Sequence, residues 1–411
     1  MTRVALLTNN PFVTDYRVWK LARSLVDAGY EVTVVARPGD GLPERERQAG
    51  FDVVRVAQPA PRWARTPRLP GEGPSRRTPI TILRDTAGRA AQAVRFLFMA
   101  RAWAARIERV VPAADVWLSE ALISLPVALD LRRRRGGKVV HDAPDLDVES
   151  ARFALLPGPW RRLLHWRERA WIRGADGLVT ASRPYAEVLA RTTGRRPVVV
   201  HNGPLLSELR PGGDRLLHRE LGLDPALPLV LSFGQIVPGR GIEALIDALD
   251  RLPGVHLAVV GFGSLFEPMR ARASAGASAG RIHFLPRVRP EDIPGVTAAA
   301  DIAAMPIEPI TLNHRLTAPT KLFDAMGAGV PVVATDLEGM AAIVREMGCG
   351  ELCRPGDPDD LARAIRVILE ATPERRAAYG AAGRRAVSET YGWEHQVGGL
   401  VALLRDLGAA P

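Results

Sequence analysis

One stretch limits what this chain can fold into more than any other. It runs from Ala318 to Thr335: Ala-Pro-Thr-Lys-Leu-Phe-Asp-Ala-Met-Gly-Ala-Gly-Val-Pro-Val-Val-Ala-Thr. It reads as a loop, a short helix, a tight turn and a buried strand. Pro319 disfavours helix at the residue before it and marks a boundary. Thr320 is expected to cap the helix. Leu322, Ala325 and Met326 share one face at helical spacing. Gly327 and Gly329 are expected to end the helix, and Val330 to Ala334 is an apolar, β-branched run. Such a helix start offers backbone N–H groups to an anion. Asp324 lies one turn further on, on the side of Thr320 and Lys321. Its carboxylate can accept from two neighbouring hydroxyls. Phosphate beside a sugar diol describes a nucleotide. The same residues also fit an ordinary helix–strand unit with Asp324 merely solvated.

The rest of the chain alternates in the same way. Arg3 to Thr8 reads as a strand, Tyr16 to Ala28 as an amphipathic helix closed by Gly29, and Val32 to Ala36 as a second strand. This βαβ opening predicts a parallel doubly wound sheet with ligands at the carboxyl ends of its strands. The Asn9–Asp15 loop sits at such an end. It lacks G-x-G-x-x-G, which removes support for a redox role. Strands are expected at Val116 to Leu118, ending in Ser119-Glu120, and at Lys138 to Val140, followed by His141-Asp142-Ala143-Pro144-Asp145. Others are expected at Gly177 to Thr180 and Pro197 to Val200. A linker falls near Arg210 to Asp214. The pattern then restarts with Leu229 to Phe233, the loop Gly234 to Gly241 and a helix from Ile242. Val255 to Val260, Ile282 to Leu285 and Asp301 to Met305 follow as strands, and Trp393 to Leu407 as a last amphipathic helix.

At 411 residues the chain is long enough for two domains. Its net charge of +10 comes nearly all from arginine, because Lys20, Lys138 and Lys321 are the only lysines. A basic surface suits phosphorylated ligands. No zinc-finger, RRM or helix-turn-helix pattern argues for nucleic acid. Cys349 and Cys353 have no histidine partners in a metal pattern and read as small apolar fillers. No apolar run spans a bilayer and no signal peptide is read, so a cytoplasmic location is expected. Residues 58–80 read as a mobile loop rich in Pro, Arg and Gly. Ile82 to Val111 and Trp160 to Arg173 mix arginines with aromatics. Such helices can lie on a membrane or be core helices with a basic outer face, so weak peripheral contact at the inner membrane face stays open.

Two such halves, with these loops, resemble the GT-B nucleotide-sugar glycosyltransferases, and most of all glycosyltransferase family 4, the retaining group 1 enzymes. The resemblance covers nearly the whole chain. Asp301 to Pro306, Pro319 to Thr335 and Tyr391-Gly392-Trp393-Glu394 carry it, in the expected order. It implies an α/β fold of two Rossmann-like doubly wound domains facing across a cleft. Residues 1–205 would bind the acceptor, with helix 393–407 packing back on them. Residues 206–392 would bind the nucleotide sugar.

The resemblance also implies a site. Asp324 stands where the family has a Glu that holds the donor ribose. The family's partner Glu, eight residues earlier, falls at Leu316, so Asn313, His314 and their loop would hold the donor sugar differently. Gln235 and Arg240 match the diphosphate positions, with Lys321 as a further cation. Gly234, Gly261 and Gly263 allow close approach, Val288 touches the base through its backbone, and Thr320 and Leu322 complete the donor set. In the first domain the family's usual His would fall at Pro144, with His141 three residues early. Asp142 and Asp145 are then the candidates to take the acceptor proton. Asn9, Asn10, Asp15, Glu120 and His141 line the acceptor side, and Arg240 completes the catalytic set.

No metal is expected. Asp145-Leu146-Asp147 reads D-x-D, but so does the helix start Asp357-Pro358-Asp359. The implied activity is transfer of a hexose from a nucleoside-diphosphate sugar, UDP before GDP, to a small-molecule or lipid-linked hydroxyl. The alternatives are a UDP-sugar 2-epimerase on the same fold and a non-catalytic, membrane-associated partner protein.

Overall fold

The structure, a computed structural model, describes residues 1–59, 99–150, 153, 156, 158–210 and 215–411. They divide into two compact units. One comprises the described residues up to Val200 with Val397–Pro411, and the other is His201–Gln396.

The first unit is built on eight strands: β1 Arg3–Leu7, β2 Glu31–Ala36, β3 Arg45–Gln48, β4 Phe51–Arg55, β5 Val116–Glu120, β6 Lys138–Ala143, β7 Gly177–Thr180 and β8 Val198–Val199. Their order is β3-β4-β2-β1-β5-β6-β7-β8. All pairs are parallel except the hairpin β3–β4. That hairpin is absent from the sequence reading, because Arg-Glu-Arg-Gln carries no apolar alternation. Its turn gives it away instead: Ala49 and Gly50 have φ of 48° and 89°, as a tight two-residue hairpin turn requires. Charge suits β3 because it is the sheet edge. β6 runs on through His141, Asp142 and Ala143, beyond the expected end at Val140. The order reverses between β1 and β5, so Asn9–Asp15 and Glu120 share one crevice end of the sheet.

The second unit has six parallel strands in the order β11-β10-β9-β12-β13-β14. They are β9 Leu229–Gln235, β10 His256–Phe262, β11 Ile282–Pro286, β12 Ile302–Met305, β13 Val332–Thr335 and β14 Gly350–Cys353. Helices cover both faces, as a parallel sheet requires. Leu322, Phe323, Met326 and Met340 pack on one side. Leu245, Leu249, Ile365 and Ile368 pack on the other. The order reverses between β9 and β12, and the loops after these two strands carry the candidate donor residues.

The last helix, Trp393–Asp406, begins in the second unit, where Trp393 N–H donates to Pro204 O (2.9 Å). From Val397 the chain groups with the first unit. There Ala409 O accepts from the Tyr30 hydroxyl at 2.9 Å. Of the two arginine–aromatic segments, residues 99–110 are helical and Trp103 is buried, its Nε1 donating to Val56 O (3.0 Å). Residues 82–98 lie outside the described residues, as do 60–80 of the expected loop and 211–214 of the expected linker. The helix Gly158–Gly174 carries the other segment. No helix among the described residues is long and apolar enough to cross a membrane.

Candidate active site

In the second unit the candidate donor residues gather after β9. Gly234 and Gln235 close β9 with Gly234 at φ 111°, and Ile236 N–H donates to Phe262 O (2.8 Å), fastening the following loop to the end of β10. Two glycines make the approach possible. A Cβ on Gly261 would lie 1.9 Å from Gly234 O, and one on Gly263, at φ 148°, would lie 2.3 Å from Ile236 O. On the other side, Glu308 N–H donates to Gly239 O (2.9 Å). The loop carrying Arg240 is therefore held between β10 and the segment after β12.

The helix Thr320–Ala328 opens onto this loop. Its cap is Pro319, in extended conformation and with no side-chain cap. Thr320 is thus not the cap expected from the sequence. It already lies in the first turn, and its hydroxyl accepts from Asn202 Nδ2 (2.8 Å). The helix also runs past Gly327 to Ala328, with Gly329 alone ending it in left-handed conformation. Lys321 is half-buried, and its Nζ would lie 3.8 Å from a Cβ on Gly234. Burial, and then the positive charge of Arg240, brings the Lys321 pKa down to about 7. Two basic side chains and an uncapped helix start thus meet near Gly234 at the end of β9, and an anion would relieve the repulsion between them.

Asp324 follows one turn later, half-buried. Leu322, expected in the donor set, is fully buried in the core, and its N–H goes to Pro319 O (2.9 Å). Neither group is offered to a ligand. Asn313 and His314 are buried in the short helix Leu312–Leu316, whose cap Thr311 accepts from His314 N–H (3.2 Å). Leu316 is buried too. Gln235 is exposed, and Val288 is half-buried beside the core.

In the first unit, Asn10, Asp15 and Glu120 come together through Thr8. Asp15 caps the helix Tyr16–Asp27 by accepting from Val18 N–H (3.2 Å), and it accepts from Asn10 Nδ2 at 2.6 Å. Thr8 Oγ1 lies between Asp15 and Glu120. Asn9 is bonded to Gln58. Burial, and then the charges of Asp15, Asp142 and Asp147, raise the Glu120 pKa well above the ordinary carboxyl value.

Two expectations are corrected here. Asp142 is buried and held at two points by Arg17, Nε to Oδ2 at 2.8 Å and Nη2 to Oδ1 at 2.7 Å. With both oxygens taken by Arg17 and the residue buried, Asp142 is not offered to an acceptor hydroxyl, and it anchors the strand end. His141 is equally buried, with Nδ1 3.0 Å from Ser119 Oγ, and burial brings its pKa down to about 4. It packs inside the sheet and does not line the acceptor side. Asp145 is exposed. Asp147, the other half of the D-x-D pattern, accepts from Leu122 N–H at 2.8 Å.

Thr8, Arg17 and Asn202 were missed from the sequence. Arg17 had a signal. It lies one turn before Leu21, on the inward face of its helix, where an arginine needs a buried carboxylate.

Residues 227–371 match the family described as glycosyl transferases group 1, and residues 15–203 match the glycosyl transferase 4-like domain. D-inositol 3-phosphate glycosyltransferase of Mycolicibacterium gilvum is 30% identical over 283 residues, covering 66% of this chain and 61% of that protein. The same-named protein of Geodermatophilus obscurus is 29% identical over 305 residues, covering 70% and 65%. The chain thus spans less than two thirds of the length of these curated relatives. Sucrose-phosphate synthase of Thermosynechococcus elongatus superposes with a TM-score of 0.77 at 22% identity, over 100% of both chains. Anabaena HepE, solved with UDP-glucose, gives 0.70 at 18%, over 99% of this chain and all of that one. These structural likenesses carry the GT-B fold of two parallel-sheet α/β domains. Both family matches lie in chain order, one in each unit, and the chain belongs to the group 1 glycosyltransferases, glycosyltransferase family 4.

Proposed function

We propose that this chain is a retaining, metal-independent glycosyltransferase that moves a hexose from a nucleoside-diphosphate sugar to an acceptor hydroxyl. The observation that carries the reading is the meeting of Lys321, Arg240 and the uncapped start of Thr320–Ala328 beside Gly234. In the reaction, the bond from the anomeric carbon to the diphosphate oxygen breaks, and a bond from the acceptor oxygen forms on the same face. Charge grows on the leaving diphosphate, where fixed cations and a helix N-terminus stabilise it most. The acceptor proton goes to that diphosphate or to Asp145. HepE was solved with UDP-glucose, which supports a UDP-sugar donor. The relatives' name, D-inositol 3-phosphate glycosyltransferase, supports a polyhydroxylated acceptor.

The helix Gly158–Gly174 supports a second, partner-level reading: contact with an anionic membrane face. Trp160, Leu163 and Trp166 are 39%, 37% and 60% exposed on it, and Arg167 lies over the Trp166 ring at 5.4 Å. Vesicles with and without anionic lipid would test this by co-sedimentation.

The function is tested with a panel of nucleotide sugars. A donor should raise the melting temperature by mass action, release nucleoside diphosphate with an acceptor present, and give a product whose anomeric configuration, read by NMR, matches the donor. Turnover should persist in EDTA. A product of inverted configuration removes the retaining assignment. Binding without turnover favours a non-catalytic partner. Loss in EDTA restored by manganese returns Asp145-Leu146-Asp147 to consideration.

A further inference from the structure

His256 opens β10, and His283 is the second residue of β11, the edge strand of its sheet. The two strands are parallel, with Ala258 opposite His283. Side chains alternate along a strand, so His256, two residues before Ala258, stands on the same face as His283. His256 Nδ1 and His283 Nε2 are 3.1 Å apart. The rings lie 8° from parallel with their centroids 5.4 Å apart. The nitrogens are much closer than the centroids, so the rings meet edge to edge through these two atoms.

Two neutral imidazoles placed in this way share one proton, with one facing nitrogen donating and the other accepting. A metal ion can take the place of that proton, which then moves to the outer nitrogen of its own ring. Both rings are half-buried, and neither is in an ion pair with a carboxylate among the described residues. The cation that acts on His256 is Arg281, whose guanidinium is given to the carbonyls of Leu249, Leu252 and Val255. Burial, then Arg281 and His218, lower the His256 pKa, and burial, then His256, lower that of His283. Both rings are therefore neutral at pH 7, the form that ligates metals.

The spacing fits one ion. Metal–imidazole bonds of about 2.0–2.1 Å put two ligand nitrogens roughly 3.3 Å apart on a tetrahedral ion and about 2.9 Å apart on a square-planar one. The observed 3.1 Å lies between these values. The rings must tilt so that their lone pairs converge on a point beside the line joining the nitrogens. No group of three or more His, Cys, Asp or Glu among the described residues could hold a metal, so water fills the other positions.

We propose that His256 and His283 together hold a divalent late first-row metal ion, of the nickel, copper and zinc class, which ties the edge strand β11 to β10. The ion lies at the amino ends of these strands, about 20 Å along β10 from the end that faces the donor residues. It stabilises the fold and takes no part in the transfer reaction.

The test uses the full chain, stripped with EDTA and dialysed, and calorimetry with Ni²⁺. One site should bind, and Ni²⁺ should raise the melting temperature by mass action. His256→Gln and His283→Gln should each weaken Ni²⁺ by at least about tenfold, since a lost ligand costs no less than a lost outer partner. Their metal-free melting temperatures should equal the parent's. His165 lies 3.1 Å from Glu149 and 3.4 Å from Glu168 and is the competing group, so His165→Gln should leave Ni²⁺ affinity unchanged. The electron paramagnetic resonance of bound Cu²⁺ should show two equatorial nitrogens in the parent and one in either strand variant. No Ni²⁺ binding, binding that survives both strand variants, or binding lost in His165→Gln overturns the site. A copper spectrum of the parent without a nitrogen pair overturns it even where a variant fails to fold. Turnover of the stripped protein should equal that of the Ni²⁺-loaded protein, and a loss on stripping that His283→Gln reproduces overturns the purely structural role.

Discussion

Thr8 Oγ1 and Glu120 Oε2 lie 3.2 Å apart across neighbouring strands, and the same hydroxyl is 3.3 Å from Asp15 Oδ2. A hydroxyl has one proton to give. Asp15 already accepts from Asn10 Nδ2 and Val18 N–H and is the natural acceptor for the Thr8 proton. One hydroxyl proton facing two carboxylates leaves Glu120 only part of a donor. Burial and the nearby Asp15, Asp142 and Asp147 raise its pKa. Arg17, the cation on the adjacent helix, is committed to Asp142.

The first prediction concerns the Glu120 proton. Below the ordinary carboxyl value, folded and unfolded chains both hold it. As pH rises, the unfolded chain releases it first while the fold keeps it. Glu120 should therefore make stability fall with rising pH until the folded group itself ionises. Glu120→Gln, which keeps the hydrogen bond to Thr8, should flatten this slope. Urea denaturation at a series of pH values measures it. A parent slope unchanged in the variant would mean that Glu120 is ionised.

The Lys321 pKa is shifted the other way, downward. It falls to about 7, so near pH 8 most of the unliganded protein has this side chain neutral. A bound diphosphate restores the charge, and binding should take up a proton, about one at most. Affinity should then decrease as pH rises above 7. A nucleotide sugar is the right probe, since its diphosphate does not titrate near neutrality. Calorimetry in buffers of differing ionisation heat should show the uptake, and Lys321→Met should abolish it. Uptake that persists in the variant would place the proton elsewhere.

The buried Arg17–Asp142 pair predicts an asymmetry. Removing one partner leaves a buried charge alone. Arg17→Ala should therefore cost about 3–5 kcal/mol of stability, measured by urea unfolding. Arg17→Met with Asp142→Leu should recover much of that loss. If the single variant costs under about 1 kcal/mol, water reaches the carboxylate and the pair is not structural.

Most element positions were legible because parallel strands buried on both faces leave long apolar runs. Periodicity marks those runs whatever the site does. The second unit's site was legible in part, since Arg240, Lys321 and Asp324 sit in motifs of fixed spacing. Thr320 was misassigned because a proline before it fits the cap as well as the residue that follows. The first unit's site was harder to read. Whether His141 and Asp142 reach out or stay inside depended on three further residues of β6. Whether Asp142 is free depended on an arginine 125 positions away. Long-range pairing of this kind leaves no local spacing to find.

Asp324 offers the last prediction. Its helix turn sets it one turn beyond Thr320 and Lys321, so its two oxygens can meet a vicinal diol while the helix start meets the phosphates. Asp324→Asn keeps size and loses charge and one acceptor. It should weaken donors with an intact ribose by about 1.5–3 kcal/mol, the range of a hydrogen bond to a charged group. It should weaken a 2′-deoxy donor much less. The four affinities form a double-mutant cycle. Coupling in that range supports the contact between carboxylate and hydroxyl. Additive losses would mean that Asp324 acts through the fold, and the ribose would then have to be held elsewhere. Leu316 is buried and apolar and supplies no second carboxylate, so Asp324 should carry more of the ribose affinity here than in a protein with both acids.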